Sequence, residues 1–266
     1  MFGAMTAYGF TVRAFGWSAA IFSDCERTCE ILDRYVLPWL PRGRPDGEHA
    51  DAIFHVIRHE GVFELHAAEG MLGRSDTAEG IVPILQSFID SAVVQRLTDT
   101  VAVHAGAVSY GGAAILFPGP SHSGKSTLVA ELLHHGFAYF SDEYALLDRV
   151  GRAHPYPRSL MLRNGKPEAR PMLVQESSAA IGSGPAPVAL ILALEYVPGA
   201  AWNVRPTPQS EMLLMLLKST PHKLGDTGAL LDSLLRASGA AACYAGVRGE
   251  AADTAGRIVE LLAARQ

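Results

Sequence analysis

Nine residues have the types and the spacing to hold a polyphosphate: Gly119, Pro120, Ser121, His122, Ser123, Gly124, Lys125, Ser126 and Thr127. They spell G-x-x-x-x-G-K-S between the apolar run Ala113–Phe117 and a stretch with helical apolar spacing, Leu128–Leu133, so strand, loop and helix come in the order such a loop requires. Successive backbone N–H groups and a helix N-terminus form an anion cradle, and glycines leave room for phosphate oxygens where a Cβ would intrude. Lys125 is expected to reach the β- and γ-phosphates, and Ser126 to ligate a Mg²⁺ that also touches them, while Thr127 opens the helix. Two residues are unusual: Pro120 brings no N–H, and His122 stands where many such loops carry glycine. The expected ligands are a nucleoside triphosphate and Mg²⁺.

A second feature lies seventeen residues beyond the lysine, where the strand Phe137–Phe140 runs into Ser141-Asp142-Glu143. Carboxylates at the carboxyl end of a strand beside such a loop face the γ-phosphate, where they hold Mg²⁺ or accept a proton from an attacking hydroxyl. Asp142 and Glu143 point opposite ways if the chain is still extended, one toward the phosphates and the other toward a supporting partner. His104, on the strand Val101–Ser109, is placed to hydrogen-bond Asp142 or to donate to a phosphate oxygen. Arg158 and Arg163 follow a proline-rich segment and read either as clamps on phosphate or as solvated loop charges. The run Ser219-Thr-Pro-His222-Lys223 after the apolar stretch Glu211–Leu217 reads first as a plain loop.

The elements that must position these residues are an α/β set. Tyr8–Phe15 and Ala19–Ser23 read as strands, Asp24–Leu37 as a helix with Asp24 near its cap, Ala52–Arg58 and Val62–Ala67 as a hairpin, and Ile81–Leu97 as a helix with one apolar face. This predicts an N-terminal α+β region over residues 1–99, structural or acceptor-binding, and a catalytic domain over 100–266. In the latter, Val101–Ser109 and Ala113–Pro118 are followed by the helix Ser126–His135. Further on come the strands Val188–Glu195, Trp202–Arg205 and Ala241–Val247, and the helices Ala229–Ala237 and Ala251–Ala264.

Composition narrows the function classes. The 266 residues are 48% hydrophobic, enough for a large core and too apolar to stay unfolded. A formal charge of −5 with no block of basic residues offers no footprint for nucleic acid or an anionic membrane. The longest apolar runs are too short to span a bilayer and Met1–Met5 lacks the basic start of a signal peptide, so a cytoplasmic protein is expected. Three cysteines form no C-x-x-C pair, and Cys25-x-x-x-Cys29 reads as buried packing. His55, His59 and His66 read as packing or surface residues.

Three segments together, His104-Ala-Gly-Ala-Val, Gly119–Thr127 and Gly136-Phe-Ala-Tyr-Phe-Ser-Asp142-Glu143, resemble the kinase domain of bacterial HPr kinase/phosphorylase. The intervals match as well, fifteen residues from His104 to Gly119 and six from Gly136 to Asp142. The segment His154-Pro-Tyr-Pro-Arg158 through Asn164 resembles the HPr-kinase-related proteins of lasso-peptide and exosortase-associated gene clusters more closely than HPr kinase itself. The resemblance implies a P-loop kinase fold of the HPr kinase/phosphoenolpyruvate carboxykinase-like type. It also implies transfer of the γ-phosphoryl group of ATP to a serine hydroxyl, with Asp142 as general base and His104 beside it. Ser126, Asp142 and Glu143 are then the metal-binding set, with Lys125 on the phosphates. Glu143 replaces an aspartate of that family, and the family's later metal-linked glutamate has no clear counterpart, Glu168 lying in a different sequence. The acceptor expected on this basis is a serine-containing peptide or small protein. A small-molecule hydroxyl kinase, acting for example on free serine, and a nucleotide-binding switch with slow ATPase activity stand beside it, and homo-oligomerisation is left open.

Overall fold

A computed structural model describes residues 8–163, 169–221 and 227–264. The chain is mixed α/β and divides into two compact units, Met1–Leu97 with Arg158–Leu173, and Thr98–Pro157 with Val174–Gln266. In chain order the first unit holds β1 (Tyr8–Ala14), β2 (Trp17–Ser23), α1 (Glu26–Tyr35), β3 (Arg42–Gly43), β4 (Ala52–His59), β5 (Val62–Ala67), β6 (Gly70–Ser75) and α2 (Ala78–Arg96). The second unit follows with β7 (Thr100–Tyr110), β8 (Ala113–Pro118), α3 (Lys125–His134), β9 (Ala138–Ser141), β10 (Tyr144–Asp148) and β11 (Arg152–His154). After β12 (Leu160–Leu162) and β13 (Arg170–Met172), which belong to the first unit, come β14 (Ala186–Tyr196), β15 (Asn203–Pro206), α4 (Gln209–Lys218), α5 (Thr227–Ala240), β16 (Ala242–Arg248) and α6 (Ala251–Ala263).

The first unit is a six-stranded sheet in the order β3-β1-β2-β4-β5-β6, with α1 and α2 packed against it and each other. Helix α2 starts at Ala78, three residues before the apolar face that predicts it, because the Thr77 hydroxyl accepts from the Gly80 N–H at 3.1 Å and caps the first turn. Helix α1 is shorter than expected at both ends. Cys25 occupies the cap with no side-chain bond, the Asp24 carboxylate instead accepts from the Arg58 N–H at 3.3 Å, and Leu37 turns left-handed at φ 44°. The expectation of two buried cysteines fails for the same reason: Cys25 is exposed at the cap and Cys29 only half-buried. His55 stacks on Phe22 and His66 contacts Glu64 at 2.9 Å, packing roles for both.

Residues Arg158–Leu173 lie in the region read from sequence as catalytic, yet they group with the first unit. The strand pair β12–β13 packs on α2, the Ser159 hydroxyl donates to the Tyr35 carbonyl at 2.7 Å, and the Arg158 guanidinium donates to the Asp90 carboxylate. Arg158 and Asp90 are 5% and 2% exposed, so Arg158 is engaged in a buried ion pair rather than standing as a solvated charge.

The second unit is built on an eight-stranded sheet ordered β11-β10-β7-β8-β14-β16-β15, with β9 also paired to β7. Strands β8, β14 and β16 are parallel, as buried apolar strands joined by helices should be. Strand β11 pairs with both β10 and the start of β14, closing β14, β8, β7, β10 and β11 into a ring. Val103, Leu116, Phe140, Leu147, Ile191 and Leu216 belong to its core. Helix α3 packs on β7 and α6. Gly106 permits this: a Cβ there would stand 2.9 Å from the Val129 Cγ2 of α3. Among the described residues no helix is long and apolar enough to cross a membrane.

Candidate active site

The loop from Gly119 to Gly124 leaves the end of β8 and enters α3 in a conformation that explains its two unusual residues. Gly124 has φ 77° and His122 φ 67°, both left-handed; histidine is among the non-glycine residues that tolerate this region. Pro120 offers no N–H but supplies a carbonyl, which accepts from the Lys125 ammonium at 2.8 Å, as the Gly119 carbonyl does at 3.1 Å. Lys125 is thus folded along its own loop and 8% exposed. Burial lowers its pKa from the ordinary lysine value, and the negative charges of Glu143 and Asp142 act the other way, so both carboxylates lie within its electrostatic reach. Lys125, Ser126 and Thr127 form the first turn of α3, whose amides have no carbonyl within the helix to bond. Ser126 is half-buried and Thr127 exposed.

The carboxylates directly follow Ser141, the last residue of β9, at the strand end the sequence predicts. They sit at a bend between β9 and β10, which continue along one edge of β7 with Ser141 opposite Ala107 and Tyr144 opposite His104. The Ser141 hydroxyl accepts from the N–H groups of Glu143 at 3.3 Å and Tyr144 at 3.1 Å, and Ala105 donates to the Glu143 carbonyl at 3.0 Å, which fixes the bend. The two side chains part there. Asp142 is 1% exposed, its Oδ1 accepting from the Tyr139 hydroxyl at 2.9 Å, whereas Glu143 lines an open cleft. His104 Nε2 lies 2.9 Å from Glu143 Oε1, a charge contact when the ring is protonated but off the line of a hydrogen bond. The partner given to His104 is therefore Glu143, where the sequence suggested Asp142.

His104 also ties the cleft together through its backbone. Its carbonyl accepts from the Gly119 N–H at 3.3 Å and its N–H donates to the Ser219 carbonyl at 2.7 Å, joining the loop to the end of α4. The cleft encloses about 420 Å³, with Gly119, Pro120 and Ser121 on one wall, His104, Glu143 and Tyr144 on another, and Lys218–Pro221 on a third. Lys125 and Ser123 instead line a small neighbouring pocket beside Arg248. Of the other sequence candidates, Arg163 is exposed in the first unit, and Glu168, His222 and Lys223 fall outside the described residues.

Sequence reading did not single out Arg248, Tyr139, Tyr144 or Lys218. Arg248 bonds loop carbonyls more than a hundred positions away, so nothing local marks it. Tyr139 lies on a buried strand and reads as core until its hydroxyl is placed. Among the described residues no three His, Cys, Asp or Glu side chains converge on a metal position. That is compatible with Mg²⁺, which keeps waters and takes phosphate oxygens alongside one or two protein ligands. No protein-family model matches this chain, and no curated protein matches it.

Proposed function

We propose that the second unit is a P-loop kinase domain that binds ATP·Mg²⁺ on the Gly119–Thr127 loop and transfers the γ-phosphoryl group to a serine hydroxyl of a peptide or small protein. The observation that carries this reading is the open cleft in which the loop residues Gly119, Pro120 and Ser121 face His104 and Glu143, with Asp142 buried next to Glu143 in the chain and Lys125 folded along the same loop. Phosphoryl transfer asks little covalent chemistry of a protein and much positioning and charge compensation, and these residues offer both. The residues fit the nucleotide: the amides opening α3 suit phosphate oxygens, and the left-handed turn at Gly124 leads the loop into that helix.

In this mechanism Lys125 exchanges the carbonyls of Gly119 and Pro120 for phosphate oxygens. Ser126, Asp142 and Glu143 would hold Mg²⁺, which would supply charge neutralisation on the phosphates. Asp142, oriented by Tyr139, takes the proton of the acceptor hydroxyl as its oxygen attacks the γ-phosphorus and the bond from that phosphorus to the β,γ-bridging oxygen breaks, releasing ADP. Glu143 and His104 line the acceptor's side of the cleft. An open cleft accommodates a chain segment better than an enclosed cavity would, which favours a peptide over a free metabolite. The test is incubation with ATP·Mg²⁺ and a pool of serine-containing peptides, reading phosphopeptides by mass, with Asp142→Asn and Glu143→Gln in parallel. Phosphoserine formed by the unaltered protein and lost in Asp142→Asn supports the reading. Loss in Glu143→Gln alone exchanges the roles of the two carboxylates, and ADP formed without any phosphopeptide refutes the peptide acceptor.

A further inference from the structure

Arg248, the last residue of β16, is 2% exposed and its guanidinium is directed at the loop from behind. Nη2 donates to the carbonyls of Ser123 and Gly124, each at 3.1 Å, and Nη1 donates to the Gly249 carbonyl at 3.0 Å. The Tyr196 ring covers it at 5.0 Å, and the Tyr196 hydroxyl in turn donates to the Glu250 carboxylate at 3.0 Å. Gly124 is shaped to this contact, since a Cβ there would stand 2.6 Å from Nη2.

The consequence lies in the planarity of the peptide bond. In a trans peptide the C=O and the following N–H point in opposite directions. A guanidinium that draws the Ser123 carbonyl to one side therefore turns the Gly124 N–H to the other, and at the Gly124 carbonyl, which also accepts from the Leu128 N–H at 3.0 Å, it adds to the hold that α3 has on the Lys125 N–H. Those are amides of the predicted anion cradle. A cation held under the loop by neutral carbonyls and an aromatic face also adds positive potential where little water screens it.

We infer that Arg248 is a positioning residue for polyphosphate: it fixes the Ser123–Gly124 peptide plane and reinforces the Gly124–Lys125 plane, so that their amides face the ligand. This rests on the nucleotide reading above. Bonds from a charged donor of this kind are worth at least about tenfold in an equilibrium constant. The test titrates ATP·Mg²⁺ and inorganic tripolyphosphate, by calorimetry well below the melting temperature, against the unaltered protein, Arg248→Lys and Arg248→Met. Both ligands should weaken about tenfold or more, by the same factor, because the defect lies in the phosphate cradle. Unchanged affinities in a variant that merely melts earlier would reduce Arg248 to a structural tie and overturn the inference. If neither Arg248 variant folds, Tyr196→Leu keeps the cation and removes its cover. A common loss of about threefold for the two ligands then supports the inference and no loss overturns it. Binding of neither ligand by the unaltered protein removes the nucleotide reading itself, whereas binding that is insensitive to these substitutions removes only the role of Arg248.

Discussion

Replacing Gly106 by alanine probes whether β7 and α3 are packed as tightly as the site requires. The new Cβ would meet Val129 Cγ2 at 2.9 Å, with Lys125 Cβ and Phe117 Cδ2 each 3.6 Å away. Val129 is fully buried and lies mid-helix, where a β-branched side chain has one strongly preferred rotamer, so the relief must come from movement of α3 itself. Overpacking of this kind costs about 1–3 kcal/mol, and the smaller entropy of the unfolded alanine chain returns about 0.4–1 kcal/mol, leaving a net loss of about 1–2 kcal/mol. Because α3 begins with Lys125, the shift should also weaken ATP·Mg²⁺ binding. Urea denaturation of Gly106→Ala, Val129→Ala and the double variant isolates the contact. The double variant should be more stable than the two single losses added together, by about 1 kcal/mol. Strict additivity, or a Gly106→Ala protein as stable as the original, would refute the packing argument.

Three further outcomes are expected. Lys125→Met keeps the buried stem and removes the ammonium, so ATP·Mg²⁺ affinity measured by calorimetry should fall about 10- to 100-fold with little change in melting temperature. Tyr139→Phe removes the hydroxyl that orients Asp142 and should lower the transfer rate about tenfold while leaving ATP affinity within about twofold, as single-turnover kinetics would show. Asp148 is the third case. Burial opposes its ionisation, but bonds from the His154 ring, the Arg152 backbone and side chain and the Val150 N–H outweigh it and hold its pKa at about 2. A carboxylate with a depressed folded pKa stabilises fully above its unfolded value of about 3.9 and loses that contribution as pH falls toward 2. Asp148→Asn should therefore be less stable than the original by about 1–2 kcal/mol at pH 7, after allowance for solvent screening, and the gap should narrow below about pH 4 in urea titrations.

The residues differ in how far their roles can be read without coordinates. The loop and α3 are legible because their physics is local: glycine spacing, a lysine at the helix start and an apolar face all fall within fifteen residues. Most strands and helices of both units follow from periodicity, with ends displaced where a cap such as Thr77 or a left-handed Leu37 decides them. Strand β10 is hidden because Asp142 and Glu143 interrupt the apolar pattern and look like a terminus, although β9 and β10 run on along β7. The short strands β12 and β13 carry too few residues for a period, and their packing on α2, like the pair Arg158–Asp90 across 68 positions, is long-range in sequence. The contacts of Arg248 with the loop are longer-range still, and the hydroxyl of Tyr139 matters only once the bend at Ser141 aims Asp142 toward it.

The central claim is that the loop binds the nucleotide and that a neighbouring carboxylate acts on the acceptor, two roles that a single variant separates. On Asp142→Asn, the ATP·Mg²⁺ dissociation constant and the rate of phosphoryl transfer to a serine-containing peptide should be measured in the same preparation. The account predicts a dissociation constant raised no more than about tenfold, the effect of losing one Mg²⁺ ligand, and a transfer rate lower by about 10²- to 10⁴-fold. Transfer at the original rate, or a loss of affinity as large as the loss of rate, would contradict it.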